Sequence, residues 1–361
     1  MSRAELPKLD NEPLSVTTLF PDPHYFQSWK TAQNNKEQEV NELFEGEEPD
    51  IVGITHTDAD GYGCEVMLRE AYPNKSITVV TASESGPLRV KEVGKYVTEH
   101  VSNDTPIYIM DLAPNKGEGE QFIAPFRNYH NVTVIDHHEW SESNVRQVEW
   151  EAEVIRDTDR CATQIVHDVL IENPRPEITA LADLTADHDL WIKEDRERSD
   201  ALSDLSYIAD RDEYVDLAIE YGDDMIISER GKELIQEAQN KRERKTELAL
   251  NRTTFYDVNG FRLAITYGSC NSSDVGEKLY TDYEADLACV IYPNGKLSFR
   301  SHEDTPIARD IAVHFGGGGH ECAAGAKPDF VGSEVSHEVH WTTKGSQMRE
   351  FVKDSFSELT A

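Results

Sequence analysis

The chain has 361 residues, 38% of them hydrophobic, and carries 69 acidic against 35 basic side chains, a net charge of −34. That length is ample for two or more domains with real cores, which excludes a disulfide-stapled mini-protein and a disordered tail. The negative charge is dispersed and repels nucleic acid at long range, so DNA binding through a basic face is disfavoured.

Such dispersed acidity reads as adaptation to a salty, halophilic cytoplasm. The five cysteines (Cys64, Cys161, Cys270, Cys289 and Cys322) are scattered and form no CxxC pair. A reduced, cytoplasmic setting is expected. The N-terminus, MSRAELPKLDNEP, lacks the apolar core of a signal peptide, and no long apolar run follows. Neither secretion nor membrane insertion is expected.

Residues 1–47 read as a polar N-terminal extension, with Tyr25, Phe26 and Trp29 available to pack it onto the body. From Ile51 short apolar runs alternate with longer amphipathic stretches. The runs Ile51–Thr55, Ile77–Val80, Ile107–Met110 and Val132–Ile135 are rich in β-branched residues. Strands buried on both faces of a parallel sheet read this way. Between them, Tyr62–Ala71 and Leu88–His100 are long enough for crossover helices. A doubly wound parallel α/β domain is expected over 48–195.

Residues 196–252 are charged and helix-rich, with a thin apolar stripe at Ile235 and Ala238, and read as a helical connector. A smaller α/β domain with a mixed sheet is expected over 253–361. Its strands are Arg262–Tyr267, Asp286–Tyr292 and Lys296–Arg300, the last two joined by a Pro293-Asn294-Gly295 turn. A helix from Pro306 to His314 ends at a run of four glycines.

The chemistry lies at the strand ends. The first strand runs into His56-Thr57-Asp58-Ala59-Asp60-Gly61, where an extended backbone would point His56, Asp58 and Asp60 the same way. The third ends in Asp111 and the fourth in Asp136-His137-His138. Ligands in open α/β sheets sit at the carboxyl edge of the strands. So many carboxylates together need a counter-charge, and mixed Asp/His ligation suits manganese, iron or zinc better than calcium. A second signal is Phe315 followed by Gly316, Gly317, Gly318, Gly319 and His320. Backbone N–H groups bared by the glycines could cradle a phosphate. Arg300, in Ser298-Phe299-Arg300-Ser301, could hold a phosphate bidentately.

In order, HTDADG (56–61), Asp111, DHH (136–138), LSFRS (297–301) and FGGGGHECAAG (315–325) resemble the DHH phosphoesterase superfamily with its associated C-terminal domain. Relatives there include RecJ-type exonucleases, nanoRNases, cyclic dinucleotide phosphodiesterases and family II pyrophosphatases. The resemblance implies two divalent ions, manganese above all, with magnesium or cobalt as substitutes. His56, Asp58 and Asp111 would hold one ion. Asp60, Asp111, His137 and a fourth-motif aspartate would hold the other, with Asp111 as the bridge. In LADLTADHDLW (181–191) Asp187 fits the family pattern, with Asp189 and Asp183 open. Asp136 would orient a histidine, and His138 would meet the scissile phosphate. Arg300, Ser301 and Gly316–His320 would hold the distal nucleotide. The expected substrate is a short oligonucleotide or a linear or cyclic dinucleotide, cut to 5′-mononucleotides. The alternatives are a RecJ-like single-strand exonuclease and a non-catalytic metal-binding scaffold. A homodimer and replication or repair partners are compatible with the resemblance.

Overall fold

The computed structural model describes residues 29–83, 88–292 and 296–326, with 349, 352–354, 356 and 357 near the C-terminus. Tyr25, Phe26 and the Pro293-Asn294-Gly295 turn lie outside the described residues. The chain divides into two compact units, one reaching Gln239 and one beginning at Asn240.

In the first unit the chain runs α1 (Trp29–Leu43), β1 (Ile51–Thr55), α2 (Ala59–Ala71), β2 (Ile77–Thr81), α3 (Val90–Val97), β3 (Ile107–Met110), α4 (Gly119–Ile123), β4 (Val132–Asp136), α5 (Glu142–Glu149) and β5 (Glu153–Arg156). Four helices follow, α6 (Ala162–Leu170), α7 (Pro176–Asp189), α8 (Arg196–Ile208) and α9 (Arg211–Tyr221). All five strands are parallel, in the order β2-β1-β3-β4-β5. Strand order reverses between β1 and β3, so a crevice opens at their carboxyl ends.

Every residue of β1 is buried. Its alternate side chains feed two cores, as pleating requires. Val52 and Ile54 join Val90, Val93, Phe122 and Phe126 on one face, while Ile51 joins Met67, Leu68, Ile165 and Leu181 on the other. The doubly wound parallel sheet expected from the apolar runs is therefore present. Residues 196–239 enter the second of these cores through Leu202, Leu205, Tyr214 and Val215. The division between units falls within the long helix α10 (Glu229–Asn251).

The second unit is a mixed sheet of β6 (Thr254–Val258), β7 (Phe261–Tyr267), β8 (Leu287–Ile291), β9 (Leu297–Ser301), β10 (Gly318–Gly319) and β11 (Ala323–Ala326), in the order β10-β11-β9-β8-β7-β6. Only β7 and β8 pair in parallel. The crossover between them is α11 (Ser272–Tyr283), and α12 (Ala308–His314) packs against β9 and β11. No helix among the described residues is long and apolar enough to cross a membrane.

Candidate metal centre

The turn after β1 is built by hydrogen bonds from its own side chains. Asp58 has extended backbone and caps α2, accepting the Gly61 N–H at 3.0 Å. Thr55 Oγ1 donates to the Gly61 carbonyl at 2.8 Å. A Cβ on Gly61 would lie 2.4 Å from the His56 carbonyl oxygen, so no other residue fits without moving the backbone. The expectation of extended backbone through Asp60 is corrected here. Helix begins at Ala59, and Asp60 sits in its first turn.

Asp60 is buried, and its two carboxylate oxygens accept the N–H groups of Ala162 and Thr163 at 2.8 and 2.7 Å. These donors have no partner within the helix, as at the start of any α-helix, so the terminus of α6 stabilises the carboxylate and fixes its direction. Sequence reading missed this support, although Cys161-Ala162-Thr163 opens an amphipathic stretch where a helix start could be sought.

Asp111 follows β3 with φ +55°, a left-handed conformation uncommon for a residue with a side chain. Its N–H still continues the ladder, donating to Ile135 O at 3.0 Å. The strand pairing thus imposes the turn that delivers the carboxylate. At the end of β4, Asp136 is fully buried. It accepts the His138 N–H at 3.2 Å and the Trp140 indole N–H at 2.6 Å, and His138 Nδ1 lies 2.9 Å from its other oxygen. Trp140 escaped the sequence reading. A buried indole N–H needs an acceptor, and here that acceptor is Asp136.

These side chains meet. His56 Nδ1 lies 2.6 Å from Asp58 and 3.9 Å from Asp111. His137 Nε2 lies 3.7 Å from Asp60, 3.5 Å from Asp111 and 3.6 Å from Asp189. Three sets of ligand atoms each lie within 4.8 Å: His56, Asp58 and Asp111; Asp60, His137 and Asp189; and Asp111, His137 and His138. Burial, then Asp60, Asp58, Asp136 and Asp189, push the Asp111 carboxyl well above its usual range. Partial burial, then Asp60 and Asp58, push Asp189 up to about 7. Five carboxylates converge with three imidazoles, and the crowding disfavours full ionisation unless a cation enters. The donor set therefore fits divalent metal.

Asp187 is not in the cluster. At about 3.6 residues per helical turn, positions two apart face different sides of α7, so Asp187 and Asp189 cannot share a target. Asp187 is buried and accepts the Glu194 N–H at 2.7 Å, bracing the turn after the helix. Asp189, which the sequence reading left open beside Asp187, lies with Asp60 and His137 in the cluster.

No known family profile matches the chain. It is 24% identical over 288 residues to the oligoribonuclease NrnB of Bacillus subtilis, covering 75% of this chain and 71% of that protein. The solved DHH domain of a member of a family of ribosomal proteins superposes with a TM-score of 0.54 at 16% identity, covering 92% of both chains. The chain therefore shares the fold of a DHH domain. RecJ of Thermus thermophilus in complex with Mn2+ shares the fold at a TM-score of 0.51 and 12% identity, over 89% of this chain and 54% of RecJ.

In the second unit, two segments that the sequence reading assigned to substrate binding are engaged in its own packing. The first is the glycine run, whose N–H groups are not bared as a row. Gly316 and Gly317 donate theirs to Val313 and Ala312 at 2.9 and 2.8 Å, closing the end of α12. Gly318 and Gly319 pair with Gly325 and Ala324, and the exposed His320 donates its N–H to Ala323 O at 2.8 Å. Glycine is still required at 317, where a Cβ would lie 2.0 Å from Gly325 O.

The second is Ser301, which is buried. Its hydroxyl accepts the N–H groups of Ile307 and Ala308 at 3.2 and 3.3 Å, where α12 begins. Arg300 is half-buried, donating to Ser298 Oγ at 3.1 Å, Phe299 O at 2.9 Å and Ser273 Oγ at 3.3 Å. Burial lowers its pKa from the usual guanidinium value. Ser301→Ala should cost about 0.5–2 kcal/mol of stability, as loss of a helix cap does, with KM unchanged. Chemical denaturation and steady-state kinetics check this. A raised KM at wild-type stability would return Ser301 to substrate binding.

Proposed function

We propose that this protein is a divalent-metal-dependent phosphodiesterase of the DHH superfamily that cuts short oligonucleotides or dinucleotides to 5′-mononucleotides. One observation carries the reading. Ligand groups from β1, α2, β3, β4 and α7 converge at the carboxyl edge of the first sheet, and Asp111 belongs to two of the three sets. His56, Asp58 and Asp111 would hold one ion, and Asp60, Asp111, His137 and Asp189 the other. Manganese suits such a mixed Asp/His set. Bound there, divalent ions supply charge neutralisation at the phosphate and lower the pKa of water.

The chain's own residues do the positioning. Asp136 holds His138 Nδ1 and so assigns the substrate-facing role to Nε2. The Ala162 and Thr163 N–H groups keep the Asp60 carboxylate aimed. Arg300 and the segment around Gly316–His320 would take the distal phosphate or nucleotide. Substrate length follows from charge. A net −34 opposes a polyanion more strongly with each phosphate added, so short substrates are penalised least. The naming of the Bacillus relative as an oligoribonuclease supports the same reading.

The test is a digestion series with Mn2+, comparing pApA, RNA oligomers of graded length, single-stranded DNA and a cyclic dinucleotide, at low and molar KCl. The shortest RNA should be cut fastest. Exhaustive chelation should abolish turnover and Mn2+ restore it. Full activity after chelation, or a rate that climbs with substrate length at both salt concentrations, would overturn the proposal.

A further inference from the structure

The turn that follows Asp189 exposes an indole where burial would be expected. Trp191 is 66% exposed and Ile192 52%, two and three residues beyond Asp189 of the acidic cluster. Trp191 and Lys193 both hold left-handed backbone, with φ +57° and +63°. A bulky residue in that region is strained and persists only where its surroundings impose it. The surroundings here are specific. The Asp187 carbonyl accepts the N–H groups of Ile192 and Lys193 at 3.1 and 3.2 Å, while its carboxylate takes that of Glu194. Lys193 Nζ is fixed 2.6 Å from Asp200 and 3.1 Å from His188 Nδ1, and it lies 4.3 Å from the centre of the Trp191 ring. The His188 ring meets the indole edge-on, at a centroid distance of 6.4 Å. One face of the indole is thus backed by an ammonium and its edge is braced. The ring is contacted on one face and one edge yet remains open to solvent.

Only one residue separates Trp191 from Asp189, so their Cα atoms are within about 7 Å. That is within the span of a single nucleotide. We propose that Trp191 is a base-stacking platform, on which the nucleobase next to the scissile phosphodiester lies flat. The inference rests on the phosphodiesterase reading. Aromatic stacking suits the role because every base offers a π face, so the platform takes any nucleotide sequence but demands a base.

The test separates stacking from turnover. With pApA, Trp191→Ala should raise KM roughly ten- to a hundredfold, the range for losing one stacked base, and Trp191→Phe should recover most of it. A diester of the same backbone lacking the base should be cut equally by wild type and Trp191→Ala. In a parallel binding experiment, a dinucleotide carrying 2-aminopurine should lose fluorescence on binding wild type and keep it with Trp191→Ala. This second readout needs no hydrolysis. If wild type cuts none of these diesters yet quenches 2-aminopurine, the phosphodiesterase reading fails and the platform stands. If wild type cuts pApA but Trp191→Ala leaves KM and quenching unchanged, the platform is wrong. A change from dimer to monomer in light scattering, with KM unchanged, would likewise overturn it and make Trp191 an interface residue.

Discussion

Asp111→Asn should abolish turnover while raising the melting temperature of the metal-free protein. The two effects have one cause. Asp111 is buried among Asp60, Asp58, Asp136 and Asp189, and its carboxyl titrates well above the ordinary value of 3.8. A carboxyl whose folded pKa is raised binds its proton more tightly folded than unfolded. Ionising it at neutral pH therefore costs stability, and that cost disappears below pH 3.8, where both states are protonated. Asparagine removes the charge and keeps the shape. It also tolerates the left-handed φ of +55°, which alanine would strain. The gain should be a few degrees, at about 2–4 °C per kcal/mol, and should shrink as the pH falls. The stabilisation that Mn2+ gives the wild type should vanish as well, because Asp111 belongs to two of the three ligand sets and is proposed to hold both ions. Activity should fall at least about a thousandfold, beyond the roughly 10–100-fold expected when Asp136→Asn disturbs only a ligand's orientation. Thermal melts with EDTA and with Mn2+, alongside kcat, check each part. A lower metal-free melting temperature, or activity within tenfold of wild type, would show that Asp111 is neither strained by charge nor shared.

What could be read from the sequence follows from how local its cause is. The three inner strands announce themselves because burial on both faces favours apolar residues, as Ile51–Thr55 shows. The edge strand β5 escaped, since its outer residues Glu153 and Arg156 face solvent. His56, Asp58, Asp60, Asp111 and His137 were legible because each sits at or just beyond a strand end, and parallel topology brings such ends together. The supports of the site were not. The Ala162 and Thr163 N–H groups reach Asp60 only through tertiary packing, and the Trp140 indole reaches Asp136 through the turn after β4. The glycine run carries a packing role that the sequence reading did not show. Gly316 and Gly317 close the end of α12, and Gly317 allows its approach to β11, a packing demand that sequence alone does not separate from a phosphate loop.

The choice between Asp187 and Asp189 shows the same limit at one turn of helix, and a pair of substitutions decides it. Asp189→Ala should cut kcat by more than about a hundredfold, because in the proposed reading it removes a metal ligand rather than a group that orients one. It should leave the metal-free fold intact, or slightly firmer, since the carboxyl it removes is pushed up to about 7 by partial burial and by Asp60 and Asp58. Asp187→Ala should do the reverse. It leaves the Glu194 N–H without its acceptor and loosens the turn that holds Trp191, at a cost of about 1.5–3 kcal/mol for a hydrogen bond to a charged group. The Asp187 carbonyl still braces Ile192 and Lys193 in the variant, so the turn should soften rather than collapse. For Asp187→Ala the melting temperature should therefore fall, KM for a dinucleotide should rise, and kcat should change least. Affinity for Mn2+, followed by the metal-induced shift in melting temperature, should drop in Asp189→Ala alone. If Mn2+ affinity instead drops in Asp187→Ala and survives in Asp189→Ala, α7 must rotate when metal binds, and the fourth ligand reverts to Asp187.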